Sequence, residues 1–217
     1  MKKLLIFDLD GTLLDTLMDL TNSVNFALKQ FGYKEKSKEF VRKAIGNGVA
    51  ILIARCIENG KDNSNYQNVL NCFRSHYKEH YFDNTIPYDG MKDLLIALKS
   101  KRFSLAVVSN KIDFIAKSLI NHFFPNIFDY VQGDVSELKK KPHPDMVNHV
   151  LKELHRRRQS VCYIGDTNVD YETAVHAKMD VLLVTYGYRA KEEMKEYNIS
   201  APMVDSVKEI GHYFISK

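Results

Sequence analysis

From Pro87 to the end of the chain, short apolar runs alternate with segments of helical period, and this alternation limits the fold more than any other feature. "DLLIALKSK" reads as a helix, "FSLAVVSN" as a buried strand and "DFIAKSLINHFF" as a helix stopped at Pro125. The pattern continues with "FDYVQGD" (strand), "PDMVNHVLKELH" (helix), "SVCYIGD" (strand), "VDYETAVHAK" (helix) and "DVLLVTYG" (strand). An amphipathic helix follows over roughly 206–214. Strands that are apolar throughout and alternate with helices predict an open parallel sheet covered on both faces. Residues 3 to 10, containing "LLIF", supply one more buried strand.

Between these parts the period is helical only. Leu17, Leu20, Val24, Ala27, Leu28 and Phe31 share one face before Gly32. Further helices are expected over about 37–44 and 49–58, joined by the glycine-bracketed "IGNGV" of residues 45 to 49. A longer one, about 64–82, carries Tyr66, Val69, Leu70, Phe73, Tyr77 and Tyr81 on a stripe that reads as packing between helices. The expected class is therefore α/β: a Rossmann-like open parallel-sheet core, residues 1–14 and 87–217, with an inserted all-helical cap, residues 15–86.

The first strand runs into "DLDGT", and strand alternation would turn Asp8 and Asp10 to one side. Two bare carboxylates about 4 Å apart repel by about 4 kcal/mol at an effective dielectric near 20, so something must offset them. In open α/β sheets ligands bind beyond the carboxyl ends of the strands. Other strands end polar in the same sense, at Ser109-Asn110, at Asp166 and at Tyr186-Gly187, and "GDTNVD" adds Asp170 at a helix opening. Four carboxylates converging on one crevice call for a hard divalent cation with oxygen ligands, of which Mg²⁺ is the most available. An Asp-Gly turn or an acid capping a helix explains each motif singly, but not their succession at strand ends. A calcium loop is excluded by the early glycine and the preceding strand. In "KKKPHPD", Lys141 is held extended before Pro142 and can reach the crevice, where it would hold a phosphate.

With these residues in place, the sequence resembles the haloacid dehalogenase superfamily of phosphotransferases with a small helical cap, over essentially the whole chain. The resemblance implies roles for each motif. Asp8 is the nucleophile and a metal ligand; Asp10 is the general acid/base, with its backbone carbonyl on the metal. Thr12 supports the first loop and the phosphate site, and Ser109, the Asn110 amide and Lys141 bind the transferring phosphoryl group. Asp166 ligates Mg²⁺, and Asp170 orients the metal shell or Lys141. The acid at Asp10 separates the chain from the dehalogenases proper, which have no alkoxide to protonate. The absence of a basic residue in "IGNGV" separates it from the hexose-phosphate mutases.

"IGNGV", "KPHP" and "VTYGY" are similar to bacterial phosphoglycolate phosphatases, which implies 2-phosphoglycolate as substrate and places its carboxylate on the amides of Gly46, Asn47 and Gly48. Nucleoside monophosphates, pyrophosphate and sugar phosphates are the alternative substrates, and a non-catalytic binding module on the same fold is the alternative class. His143, Tyr188 and Arg189 adjoin these motifs without an assigned contact.

The partner expected is a small phosphorylated metabolite, not nucleic acid: the net charge is only +4, and the basic runs Lys139–Lys141 and "HRRR" carry no interleaved aromatics. The histidines of "HYKEH" read as a solvent-facing pair, since Tyr77 stands where a zinc protease needs glutamate. Three scattered cysteines form no disulfide framework and suit a reducing cytoplasm. The basic opening Met1-Lys2-Lys3 precedes an apolar run too short for an export signal, and no segment approaches a membrane span. A monomer or homodimer is expected.

Overall fold

The computed structural model describes residues 3–215; the start of the basic opening, Met1-Lys2, lies outside them. The chain divides into two compact units, one made of residues up to Leu14 and from Pro87 on, the other of Asp15–Ile86.

In chain order the elements are β1 (Leu4–Phe7), β2 (Leu14–Asp15), α1 (Leu17–Gln30), α2 (Lys38–Ala44), α3 (Val49–Cys56), α4 (Tyr66–His80) and β3 (Ile86–Pro87). They continue with α5 (Met91–Ser100), β4 (Ser104–Ile112), α6 (Asp113–Phe123), β5 (Tyr130–Asp134), α7 (Asp145–Glu153) and β6 (Val161–Gly165). The last are α8 (Asn168–His176), β7 (Asp180–Val184), α9 (Lys191–Lys195), β8 (Met203–Val204) and α10 (Val207–Ile215).

The larger unit is an α/β sandwich around a six-stranded sheet of order β5-β4-β1-β6-β7-β8, parallel in each of its recorded pairings. Every residue of β1 is fully buried. Leu4 and Ile6 pack on one face with Met146, Val147 and Val150 of α7. On the other, Phe7 meets Phe128 edge-on, ring centres 6.2 Å apart. Each such side chain contributes about 1.5–3 kcal/mol by leaving water, which is why the central strand carries no polar residue until its end. From β1 the chain builds outward through β4 to β5, then returns to β6 on β1's other side. That reversal leaves a crevice beyond the carboxyl ends of β1, β4 and β6.

The smaller unit is helical, and α1 and α4 form its most extensive pairing. Phe73 and Tyr77 stack at 5.3 Å between ring centres, the packing expected of the aromatic stripe. Ser37 caps α2 by accepting a hydrogen bond from the Phe40 amide. Of the histidine pair expected to face solvent, His80 is exposed, whereas His76 is half-buried, stacked on Phe26 at 4.0 Å, with its Nδ1 3.0 Å from Ser23 Oγ. Among the described residues no helix is long and apolar enough to cross a membrane.

The sequence reading missed α9, the two-residue edge strand β8 and the short strands β2 and β3. These elements span two to five residues and none contains an apolar run of three or more that would mark it.

Candidate active site

β1 ends at Phe7, so strand alternation does not set the relation between Asp8 and Asp10 as expected. The chain instead turns through residues 9–13, with the Leu13 and Leu14 amides both donating to the Leu9 carbonyl. Gly11 makes this turn possible: its φ is +82°, and a Cβ there would collide with the Asp166 carboxylate. Gly187 is needed for space as well, since a side chain would strike the Gly11 carbonyl and Asp166. Backbone thus closes over buried acids from two directions.

Asp8, Asp166 and Asp170 come together at the strand ends, each offering an oxygen within 4.8 Å of the others. Asp166 and Asp170 are fully buried and Asp8 is 7% exposed. Asp166 Oδ1 accepts from Thr12 Oγ1 at 3.0 Å, and its Oδ2 accepts from the Tyr188 amide at 2.7 Å. Thr12 therefore supports the site through Asp166, and Tyr188 through its backbone. Asp170 closes a capping box at the start of α8: its Oδ2 accepts from the Thr167 hydroxyl and amide, while the Thr167 side chain accepts from the Asp170 amide. The structural and functional readings of this acid coexist, because Oδ1 remains for Lys141.

Lys141 is the cation of the group. Its Nζ lies 2.7 Å from Asp170 Oδ1, 2.9 Å from Asp8 Oδ1 and 3.1 Å from the Tyr163 hydroxyl. The Asn110 side chain grips its backbone from both sides: Oδ1 accepts from the Lys141 amide at 2.8 Å, and Nδ2 donates to its carbonyl at 3.0 Å. Tyr163 donates to the Val108 carbonyl at 2.8 Å, so the ammonium is aimed from a rigid strand. The Lys141–Pro142 peptide is cis. Ser109, 2% exposed, accepts a hydrogen bond from the Lys111 amide at 3.3 Å.

Burial pushes the Asp8 carboxyl up to about 7; Asp170 and Asp10 add to this and Lys141 opposes it. Asp166 is raised too, by burial and then by Asp170 and Asp8. Lys141 holds its proton well above the usual range because Asp170 and Asp8 outweigh its burial. The three clustered carboxylates have one ammonium among them, Lys141, paired with Asp8 and Asp170, so full ionisation leaves two negative charges uncompensated. Asp8 Oδ1, although next to Lys141, accepts no well-directed hydrogen bond. A hard divalent cation fits this donor set, supplying the missing two charges to all-oxygen ligands.

Asp10 stands outside this acid group: its Oδ1 pairs with Lys111 Nζ at 2.8 Å. The metal role expected of Asp10 runs through its backbone carbonyl, which its side-chain pairing does not touch. Lys111, Tyr163 and the clamp formed by the Asn110 side chain were missed by sequence reasoning; only the adjacency of Lys111 to "SN" signalled any of them.

In the helical unit, "IGNGV" forms a turn with Gly46 and Gly48 at φ +122° and +83°. Its Asn47 Oδ1 accepts from Arg55 Nη2 at 3.0 Å, and Arg55 Nη1 donates to the Ala44 carbonyl at 2.7 Å. The loop itself holds no basic residue, but α3 sends one back to it.

Residues 5–184 match the model of the haloacid dehalogenase-like hydrolases. The chain belongs to this family. It is 33% identical over 215 residues to a phosphoglycolate phosphatase of Aquifex aeolicus, covering 98% of this chain and 99% of the relative. A phosphoglycolate phosphatase of Colwellia psychrerythraea is 32% identical over 203 residues, covering 90% of each. Among solved structures, a Lactobacillus delbrueckii subsp. bulgaricus protein superposes with a TM-score of 0.92 at 30% identity, both chains covered in full. The protein is thus a hydrolase on the expected α/β fold.

Proposed function

We propose that this hydrolase is a Mg²⁺-dependent phosphatase of small phosphomonoesters, with 2-phosphoglycolate as its substrate. The observation that carries the reading is the buried assembly of Asp8, Asp166, Asp170 and Lys141, two positive charges short, beside a separately paired Asp10. The names of the relatives support the choice of ester.

In this reading Asp8 Oδ attacks phosphorus in line, forming the acyl–phosphate bond as the P–O bond to the leaving group breaks. Asp10 gives its proton to the departing alkoxide. Asp10, now ionised, takes a proton from water; the water oxygen attacks phosphorus and Asp8 leaves as a carboxylate. Ser109, the Asn110 amide and Lys141 hold the phosphoryl oxygens, the last as a buried charge whose strength is not diluted by water. Asp8, Asp166 and the Asp10 carbonyl would hold Mg²⁺, with Asp170 fixing Lys141. The ion, when bound, supplies the charge that lets an anionic nucleophile approach an anionic phosphate. The three cysteines, none in a disulfide, suit a cytoplasmic setting.

Phosphate release from 2-phosphoglycolate, nucleoside monophosphates, pyrophosphate and sugar phosphates, with Mg²⁺ and with EDTA, tests the reading. Metal-dependent turnover highest on 2-phosphoglycolate is expected. Equal turnover of all esters would remove the substrate, and no metal-dependent hydrolysis of any would remove the class.

A further inference from the structure

Two buried lysines stand at this site, and the mechanism above uses only one. Lys141 is committed to Asp8, Asp170 and Tyr163. Lys111 is the other, its side chain 3% exposed and its Nζ 2.8 Å from Asp10 Oδ1. It lies in β4 directly after Ser109 and Asn110, its amide tied to Ser109 Oγ, so its backbone is as fixed as the phosphate-binding residues beside it. An ammonium so deeply buried is costly to keep, and natural chains keep one where it answers an anion.

Asp10 hands its proton to the leaving oxygen, so that oxygen comes within hydrogen-bond reach of Asp10. Lys111 stands one hydrogen bond further on. In a phosphorylated 2-hydroxy acid, the carboxylate sits on the same carbon as the leaving oxygen, which puts its own oxygens about 3 Å from it by ordinary bond lengths. A carboxylate in that position falls in the neighbourhood of the Lys111 ammonium. A longer, neutral or bulky leaving group offers nothing anionic there.

We propose that Lys111 is the specificity-determining residue of this site, recognising a carboxylate on the carbon that bears the phosphate ester. The two lysines then divide the substrate's charge, Lys141 answering the phosphoryl end and Lys111 the carboxylate end. The proposal rests on the phosphatase reading and on Asp10 as the acid.

The test compares kcat/KM for 2-phosphoglycolate with that for its neutral carboxamide, in wild type and in Lys111→Met. Wild type should prefer the carboxylate on the order of 100-fold, as a hydrogen bond to a charged group is worth. In Lys111→Met that preference should fall to near unity, chiefly through KM, and Lys111→Arg should restore part of it. A preference that survives in Lys111→Met overturns the proposal, because general damage to Asp10 lowers both substrates together. If circular dichroism shows that Lys111→Met does not fold, Lys111→Gln makes the same comparison, keeping a donor to Asp10 without the charge. A wild type that hydrolyses phosphate esters without preferring the carboxylate overturns both the named substrate and this role. A wild type that hydrolyses none overturns the phosphatase reading itself.

Discussion

The protein buries carboxylates in two places and treats them in opposite ways. In the helical unit, Asp19 is 1% exposed and receives five hydrogen bonds, from the Asn84 amide to both oxygens, the Asn84 side chain, the Thr85 amide and the Thr85 hydroxyl. Neutral donors solvate this charge completely, as a structural acid requires. At the strand ends, Asp8, Asp166 and Asp170 crowd together, Asp8 and Asp170 share the Lys141 ammonium, and Asp8 Oδ1 accepts no directed hydrogen bond. Asp166 and Asp170 also accept from amides and hydroxyls, so the shortfall lies in the net charge of the cluster and in Asp8 Oδ1, where the proposed cation would act. The contrast separates a fully satisfied structural acid from a charge-deficient cluster.

The contrast breaks if the two kinds of acid respond alike to mutation. Asp8→Asn should lower turnover by at least about 10⁴-fold, as loss of a nucleophile does. It should also leave the urea midpoint of the metal-free protein unchanged or higher, because it removes one uncompensated charge. A variant with most of its activity would end the assignment of the nucleophile; one that unfolds would make Asp8 structural. Lys141→Met tests the other side of the balance. It should cost roughly 10³-fold in turnover, the scale of a lost oxyanion-type donor. Here the metal-free protein should become less stable, since three acids then face no cation. Activity loss with opposite stability effects in these two variants is the signature of a charge-deficient site.

Much of this site could be read from residue order. Asp8, Asp166 and Asp170 follow apolar strands, and the rules of parallel sheets bring such ends together without any knowledge of distances. Strand alternation does not set Asp8 and Asp10, because β1 ends at Phe7 before both, and a glycine after an acid signals a turn without saying where it sends the side chains. Lys111 and Tyr163 were hidden for another reason. Tyr163 sits in an apolar strand where an aromatic reads as core, and its hydroxyl meets Lys141 across 22 residues of sequence. Lys111 looks like any surface lysine until β4 is seen to continue through Ile112 and bury it. Asn110 was expected to act through its amide; that its side chain clamps Lys141 depends on a contact 31 residues away in sequence. Periodicity shows which face is buried, and pairings between distant segments lie beyond it.

Asp19→Ala sharpens the structural half of the comparison. It strands the Asn84 and Thr85 amides without an acceptor, so unfolding stability should drop by about 3 kcal/mol, read from the urea midpoint. Asp19→Asn, which keeps one acceptor oxygen, should recover part of this. A drop within error for both would mean that the five hydrogen bonds are replaced by water at little cost, and that Asp19 is no better anchored than the acids of the site.

The smallest expected effect is the pH dependence of the metal-free protein. Asp8 ionises at about 7 in the folded chain against 3.8 for the ordinary side chain, chiefly because it is buried. Between those values the folded state keeps a proton that the unfolded state has released. This group therefore contributes a stability that is full below pH 3.8, declines as pH rises, and levels off above about 7. A divalent ion needs the ionised carboxylate, so its binding displaces that proton at low pH and meets no proton at high pH. Melting temperatures in EDTA and in excess Mg²⁺ should accordingly differ by a few degrees more at about pH 8 than at about pH 5.5, given 2–4 °C per kcal/mol for a chain of roughly this size. A metal-induced shift of the same size at both pH values would mean that the ion binds without Asp8. The acids of the site would then be no more demanding of a partner than Asp19.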